Sequence, residues 1–209
     1  MPIKRVQTGI PGLDEALTGG IPENNLVLIS GGAGTGKSTL CLQYLINGTK
    51  NGDKGIYFST EQNQEDLAKQ GEQYKWNVNE LVEKGLLKIV FIDIIREQTL
   101  LKKIRDEITS FQPKRLVIDS LNTVSDFTAT KDFAKQLYLE QGTMGPTVEE
   151  KIIPSNITEK MLTRKIMLAF LSELKTYKTT ALLTSELPEK GETLSADGIS
   201  EFISDGVIL

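Results

Sequence analysis

The sequence predicts an α/β fold, with a mostly parallel central sheet flanked by helices, in a single domain spanning residues 1–209. Three observations predict it. Short apolar, β-branched runs (26–29, 55–60, 86–92, 116–120 and 179–186) alternate with longer stretches of helical spacing, which is the pattern of strands joined by crossover helices. The first run leads directly into Gly31-Gly32-Ala33-Gly34-Thr35-Gly36-Lys37-Ser38-Thr39, and helical character follows in Leu40–Ile46. Two later runs end at a carboxylate, Glu61 and Asp119, at the strand tips where open α/β sheets bind ligands.

The glycine-rich stretch fits G-x-x-x-x-G-K-[ST]. A polyphosphate presents oxygens on all sides, so the loop must turn its N–H groups inward, and glycines allow that wrapping without side chains in the way. The expected phosphate-binding residues are Gly32, Ala33, Gly34, Thr35, Gly36, Lys37, Ser38 and Thr39. The helix that starts near Lys37 adds its positive end. Lys37 would reach the terminal phosphates and Ser38 would offer its hydroxyl to Mg²⁺.

With 209 residues, 39% hydrophobic and 25% charged, the chain has the composition of a soluble globular domain with a substantial core. A net charge of −4 argues against a surface built mainly for nucleic acid or an anionic membrane. No apolar run approaches the ~20 residues that cross a bilayer, and Met1-Pro2-Ile3-Lys4-Arg5 leads into no signal core, so the expected location is cytoplasmic. The single cysteine, Cys41, reads as a small buried residue on the helix after the loop. Histidine is absent, which leaves a carboxylate, or a water held by polar groups, as the general base.

Residues 8–23 (TGIPGLDEALTGGIPE) read as a short helix between turn signals, packed over the sheet edge. Standing about ten residues ahead of a phosphate loop, this segment resembles the opening of the RecA superfamily, specifically the KaiC-like and archaeal RadA-like branch. The resemblance runs almost to the end of the chain. It implies a RecA-like P-loop NTPase fold, ATP and Mg²⁺ as ligands, and a homo-oligomer in the form of a hexameric ring. A guanine-reading N-K-x-D motif is not found.

Glu61 follows the strand 55–60 and is the expected general base or water-orienting group for attack on the γ-phosphate; the lesser alternative is a solvated residue complementing the dipole of the helix that Asn63 caps. In KaiC-like proteins this position carries a pair of glutamates, and the second is Gln62 here. Residues 97–111 form a helix whose Leu100, Leu101, Ile104, Ile108 and Phe111 recur at core spacing. The basic residues around it (Lys102, Lys103, Arg105, Lys114 and Arg115) read as a solvated face rather than a groove. Asp119 ends its strand as the expected second metal residue, holding Mg²⁺ through water opposite Ser38.

Residues 121–156 read as a long irregular loop region, with more acids than bases. A helix over 157–177 carries an apolar stripe wider than one buried face needs, and Arg164-Lys165 aligns with a basic pair of the family. Ser185, at the tip of the strand 179–186, is either a sensor of the γ-phosphate or a plain strand-end hydroxyl. Residues 198–209 resemble the closing helix-turn-strand of a KaiC domain. Glu201-Phe202 stands where the autophosphorylating type has a Ser-Thr pair, so an ATPase type is implied rather than an autokinase. The chain is expected to lack the family's C-terminal extension, whose Lys-x-Arg pair reaches a neighbour's γ-phosphate.

Three functions follow. The first is an ATP-binding, Mg-dependent ATPase in which nucleotide state controls subunit contacts. The second is a RadA-paralogue accessory ATPase of DNA recombination and repair, disfavoured by the acidic balance and the lack of an aromatic-basic platform. The third is a non-hydrolysing ATP-binding switch, in favour of which Gln62 counts.

Overall fold

A six-stranded sheet in the order β5-β4-β6-β7-β3-β8 organises the computed structural model, which describes residues 3–93, 100–128, 159–188 and 193–209. Its strands are β3 (Leu26–Gly31), β4 (Gly55–Ser59), β5 (Leu87–Phe91), β6 (Arg115–Asp119), β7 (Thr180–Glu186) and β8 (Gly206–Ile208). Every pairing in it is parallel. Parallel strands need crossovers and are buried on both faces, which is why the runs read as continuously apolar rather than alternating. The α/β class and the mostly parallel sheet expected from the sequence are therefore observed.

Helix α2 (Lys37–Thr49) lies across one face of the sheet, with α3 (Gln64–Glu72) and α4 (Val78–Glu83) beside it. Cys41, Leu42, Tyr44 and Leu45 pack there on Val27, Ile29, Tyr57, Val117 and Leu182. The other face is covered by α5 (Leu100–Phe111), α6 (Leu121–Thr128) and α7 (Glu159–Leu174), which meet Leu28, Ile56, Phe58, Leu116 and Leu183. A short helix α8 (Ser200–Ile203) leads into β8. The period-two alternation of each strand therefore divides the core into two layers.

The chain departs from the expected organisation at several points. Residues 121–128 form α6, not loop: Leu121, Val124, Ser125 and Thr128 fall on one buried helical face, and the Thr128 hydroxyl bonds back to the Ser125 carbonyl at 2.8 Å. Residues 129–156 lie outside the described residues. On α7, Ile166, Met167, Phe170, Leu171 and Leu174 are buried whereas Met161 and Leu168 are exposed, so among the described residues the wide stripe is covered on one side only. A two-stranded antiparallel sheet, β1 (Arg5–Val6) with β2 (Ile21–Pro22), brackets α1 (Leu13–Ala16). This opening segment is anchored on α2 rather than on the sheet edge, because Asn47 donates from Nδ2 to the carbonyls of Thr8 (3.1 Å) and Gly9 (2.9 Å).

Arg115, expected on a solvated face, is 2% exposed. Its Nη2 and Nε lie 2.9 and 3.0 Å from Asp53 Oδ2, its Nη1 donates to the Gln7 and Tyr44 carbonyls, and the guanidinium sits 4.8 Å from the Tyr44 ring centre. A side chain at Gly48 would collide with it. Burial alone would raise the Asp53 carboxyl, but Lys114 and Arg115 outweigh it and hold the pKa below its ordinary value. Among the described residues no helix is long and apolar enough to cross a membrane.

Candidate nucleotide-binding cleft

Four adjacent strands present their C-terminal tips side by side: β4 with Glu61 just beyond it, β6 with Asp119, β7 with Glu186, and β3 running into the glycine loop. Tyr57, Asp119, Thr184 and Glu186 share a parity with Val117 and Leu182, so they face α2. The tips and the start of α2 enclose a cleft of about 530 Å³, lined by Ala33–Thr39, Glu61, Gln62, Gln70, Asp119, Ser120 and Glu186.

The loop has the backbone its glycines permit. Gly34 and Gly36 have φ of 74° and 92°, a region side chains disfavour. The Thr35 hydroxyl donates to the Gly32 carbonyl at 2.9 Å, and Lys37 Nζ donates to the Gly31 and Gly32 carbonyls, both at 2.8 Å. Gly32 thus shapes the loop from behind and is not among the lining residues. No side chain caps α2 at Gly36, so the N–H groups of its first turn remain for an anion.

Asp119 is held from two strands. Tyr57 donates its hydroxyl to Oδ2 at 2.6 Å and Thr184 donates to Oδ1 at 2.5 Å. Burial, with Asp119 beside it, raises the Tyr57 phenol well above its ordinary value, so it stays a donor, and Ser38 is within hydrogen-bonding reach of it. Tyr57 thus joins Asp119 by a hydrogen bond with Ser38 beside the pair. The Asp119–Ser120 peptide is cis.

Glu61 lines the same cleft as Lys37. Its partial burial, then the Asp119 and Glu186 carboxylates, raise its pKa above the ordinary 4.5, and Lys37 offsets only part of this. Gln62 also lines the cleft, with its N–H on the Ser59 hydroxyl at 2.9 Å. Gln70 donates to the Thr39 hydroxyl at 2.7 Å.

These residues fit a magnesium nucleotide. Ser38 and Asp119 are hard oxygen donors, and Mg²⁺ takes only one or two protein groups beside waters and phosphates. With two hydroxyls already on its carboxylate, Asp119 suits contact through water. Among the described residues no cluster of three or more metal-binding side chains is present.

Ser185 stands apart from the other expected site residues. Its side chain points to the opposite face, where the hydroxyl donates to Asn122 Oδ1 at 2.9 Å and accepts from the Ala196 N–H at 3.0 Å. Glu186 is the residue that β7 turns to the cleft. Sequence reasoning missed Glu186, Thr184 and Tyr57 as site residues, although their shared parity with the apolar residues facing α2 was a usable signal. Glu201 accepts from the Leu194 N–H at 3.1 Å and from the Ser195 hydroxyl, while Phe202 is 77% exposed.

The family profile described as "ATPase: KaiC" matches residues 6–141 and 150–209. The chain is 32% identical to the UPF0273 protein of Aeropyrum pernix over 212 residues, covering 99% of this chain and 77% of that protein. It is 40% identical to the UPF0273 protein of Thermotoga maritima over 141 residues, 58% of this chain and 57% of that protein. The chain spans a little over half the length of the latter and of a Pyrococcus furiosus relative. Among solved structures, a KaiC-like protein of the hyperthermophilic archaeon Pyrococcus horikoshii is similar with a TM-score of 0.74 at 29% identity, covering 99% of this chain and 80% of that one.

Proposed function

Because this chain belongs to the KaiC family of ATPases, within the RecA superfamily, we propose that it hydrolyses ATP with Mg²⁺ and that nucleotide state sets the contacts between its copies. The observation that carries the reading is the convergence of Lys37 and Ser38, Glu61 and Asp119 on one cleft. Loop N–H groups and the first turn of α2 hold the phosphates, and Lys37 offsets the charge that builds on the terminal one. Ser38, and Asp119 through water, would hold the metal. Mg²⁺ supplies charge neutralisation and orients the phosphate oxygens when bound.

Glu61 orients the attacking water and takes its proton. Partial burial, then the neighbouring Asp119 and Glu186 carboxylates, make it a stronger base than a free glutamate. The family resemblance supports a homo-oligomer in the form of a hexameric ring.

A phosphate-release assay with and without single-stranded DNA, joined to size-exclusion chromatography with and without ATP, tests this. Release that ignores DNA, disappears in Lys37→Ala and accompanies an ATP-dependent change in oligomer size is expected. DNA-stimulated release with a steep loss in salt would replace this reading with the repair-accessory one. Tight binding without release would favour the switch, which the Gln62 in the cleft already supports.

A further inference from the structure

We propose that Glu186 biases nucleotide binding in this cleft toward the divalent-cation complex, by repelling a triphosphate that arrives without the cation. The proposal deepens the reading above and rests on it. Strand β7 lies between β6, which ends at Asp119, and β3, which runs into the phosphate loop, and Glu186 stands opposite Gly31 in register. Alternation puts its side chain on the face of Thr184, whose hydroxyl bonds Asp119, and it lines the cleft with Glu61, Asp119 and Lys37.

Among the described residues the Glu186 carboxylate has no part in holding the strand tip together. The Glu186 N–H donates to Asn122 Oδ1 at 3.2 Å and its carbonyl accepts from the Ser185 hydroxyl at 3.3 Å, both through the backbone. The side chain itself is exposed at the rim. Glu61 and Asp119 have tasks in the proposed reaction, in water activation and metal holding. Glu186 has neither task, and its charge acts on whatever enters.

The charge balance sets the direction. Three carboxylates (Glu61, Asp119 and Glu186) face one ammonium, Lys37, which leaves two negative charges in excess among the lining residues. A triphosphate brings roughly four more at neutral pH, and a divalent cation cancels about two of them. One rim carboxylate in an open cleft is partly screened, so its removal is worth a several-fold effect rather than orders of magnitude.

Isothermal titration of the full chain with ATP, once in EDTA and once in excess Mg²⁺, tests the proposal. Glu186→Gln is expected to tighten binding in EDTA by roughly three- to tenfold and binding in Mg²⁺ by less than about twofold. Glu186→Asp, which keeps the charge, should behave as the unaltered chain. Glu83→Gln changes net charge equally on an exposed part of α4 and should move neither value. Thermal melts establish folding, and Glu186→Ala repeats the test should Glu186→Gln unfold. Equal shifts in both conditions, or none, overturn the proposal while leaving the nucleotide reading in place. An unaltered chain that binds ATP in neither condition overturns both.

Discussion

Tyr57 on β4 donates its hydroxyl to Asp119 on the adjacent β6 at 2.6 Å, so the orientation of the acid that ends one strand is decided by the side chain of another. Thr184 on β7 completes the arrangement at 2.5 Å. The carboxylate has little rotational freedom left, and the lone pairs that its two hydroxyl donors do not use are the ones available to the cleft.

Removing one of these donors should loosen the metal without emptying the phosphate loop. Tyr57→Phe is expected to raise the Mg²⁺ concentration needed for half-maximal ATP hydrolysis by about 10–100-fold, with ATP affinity in EDTA nearly unchanged. Thr184→Val should act in the same direction. A magnesium titration of the rate, alongside binding in EDTA, checks both.

Glu61→Gln keeps the shape of the side chain and removes the proton acceptor. The expected result is a fall in kcat of about 10²–10⁴-fold with ATP binding retained. The pH profile carries a second readout. Partial burial and the Asp119 and Glu186 carboxylates raise the Glu61 pKa, so the ionised base is lost as pH falls through a value above the ordinary 4.5, and the acid limb of kcat should lie there. In Glu61→Gln that limb should vanish from the residual rate.

At the opposite end of the sheet, Asp53→Asn leaves the Arg115 guanidinium buried without its counter-charge. Removing one member of such a pair costs about 3–5 kcal/mol, which for a chain of this size lowers Tm by roughly 10 °C. Because the folded-state pKa of Asp53 is depressed, its contribution is present above the unfolded value near 3.8 and is lost as pH falls through the folded one. The Tm gap between the two proteins should therefore narrow in acid, as a pH series of melts would measure.

Gly36→Ala forces a side chain onto a φ of 92°. The strain is about 1–2 kcal/mol and falls on the residue that opens α2. Relaxing it turns the loop N–H groups away from the ligand. Nucleotide affinity is expected to drop about tenfold or more while Tm changes by only a few degrees, as titration and melting would record.

Local signals carried much of this far. The phosphate loop was legible because its backbone demands glycine where other residues are strained, and Gly34 and Gly36 do adopt positive φ. The five central runs were legible because strands covered on both faces are apolar throughout, and each lies within two residues of its expected place. Helix α6 was hidden because Asn122, Thr123 and Asp126 occupy its outer side and the polar Ser125 and Thr128 interrupt its short buried face. Arg115 was misread because a charged residue at the junction of a helix and a strand ordinarily meets water. Only its approach to Asp53 and Gly48, both more than sixty positions away, explains its burial.

What the sequence determined by itself was the chemistry available: a glycine-built cradle, a lysine and a serine at its end, and acids at two strand tips. Tertiary structure alone decided which of these groups face one another. Ser185 and Glu186 are neighbours in the chain, yet the pleat sends the first to Asn122 and the second to the cleft, and Tyr57 and Thr184 reach Asp119 because β4 and β7 flank β6. Strand order is the reason. It is set by how crossover helices cover both faces of the sheet, a long-range balance of buried area that no single stretch of residues encodes.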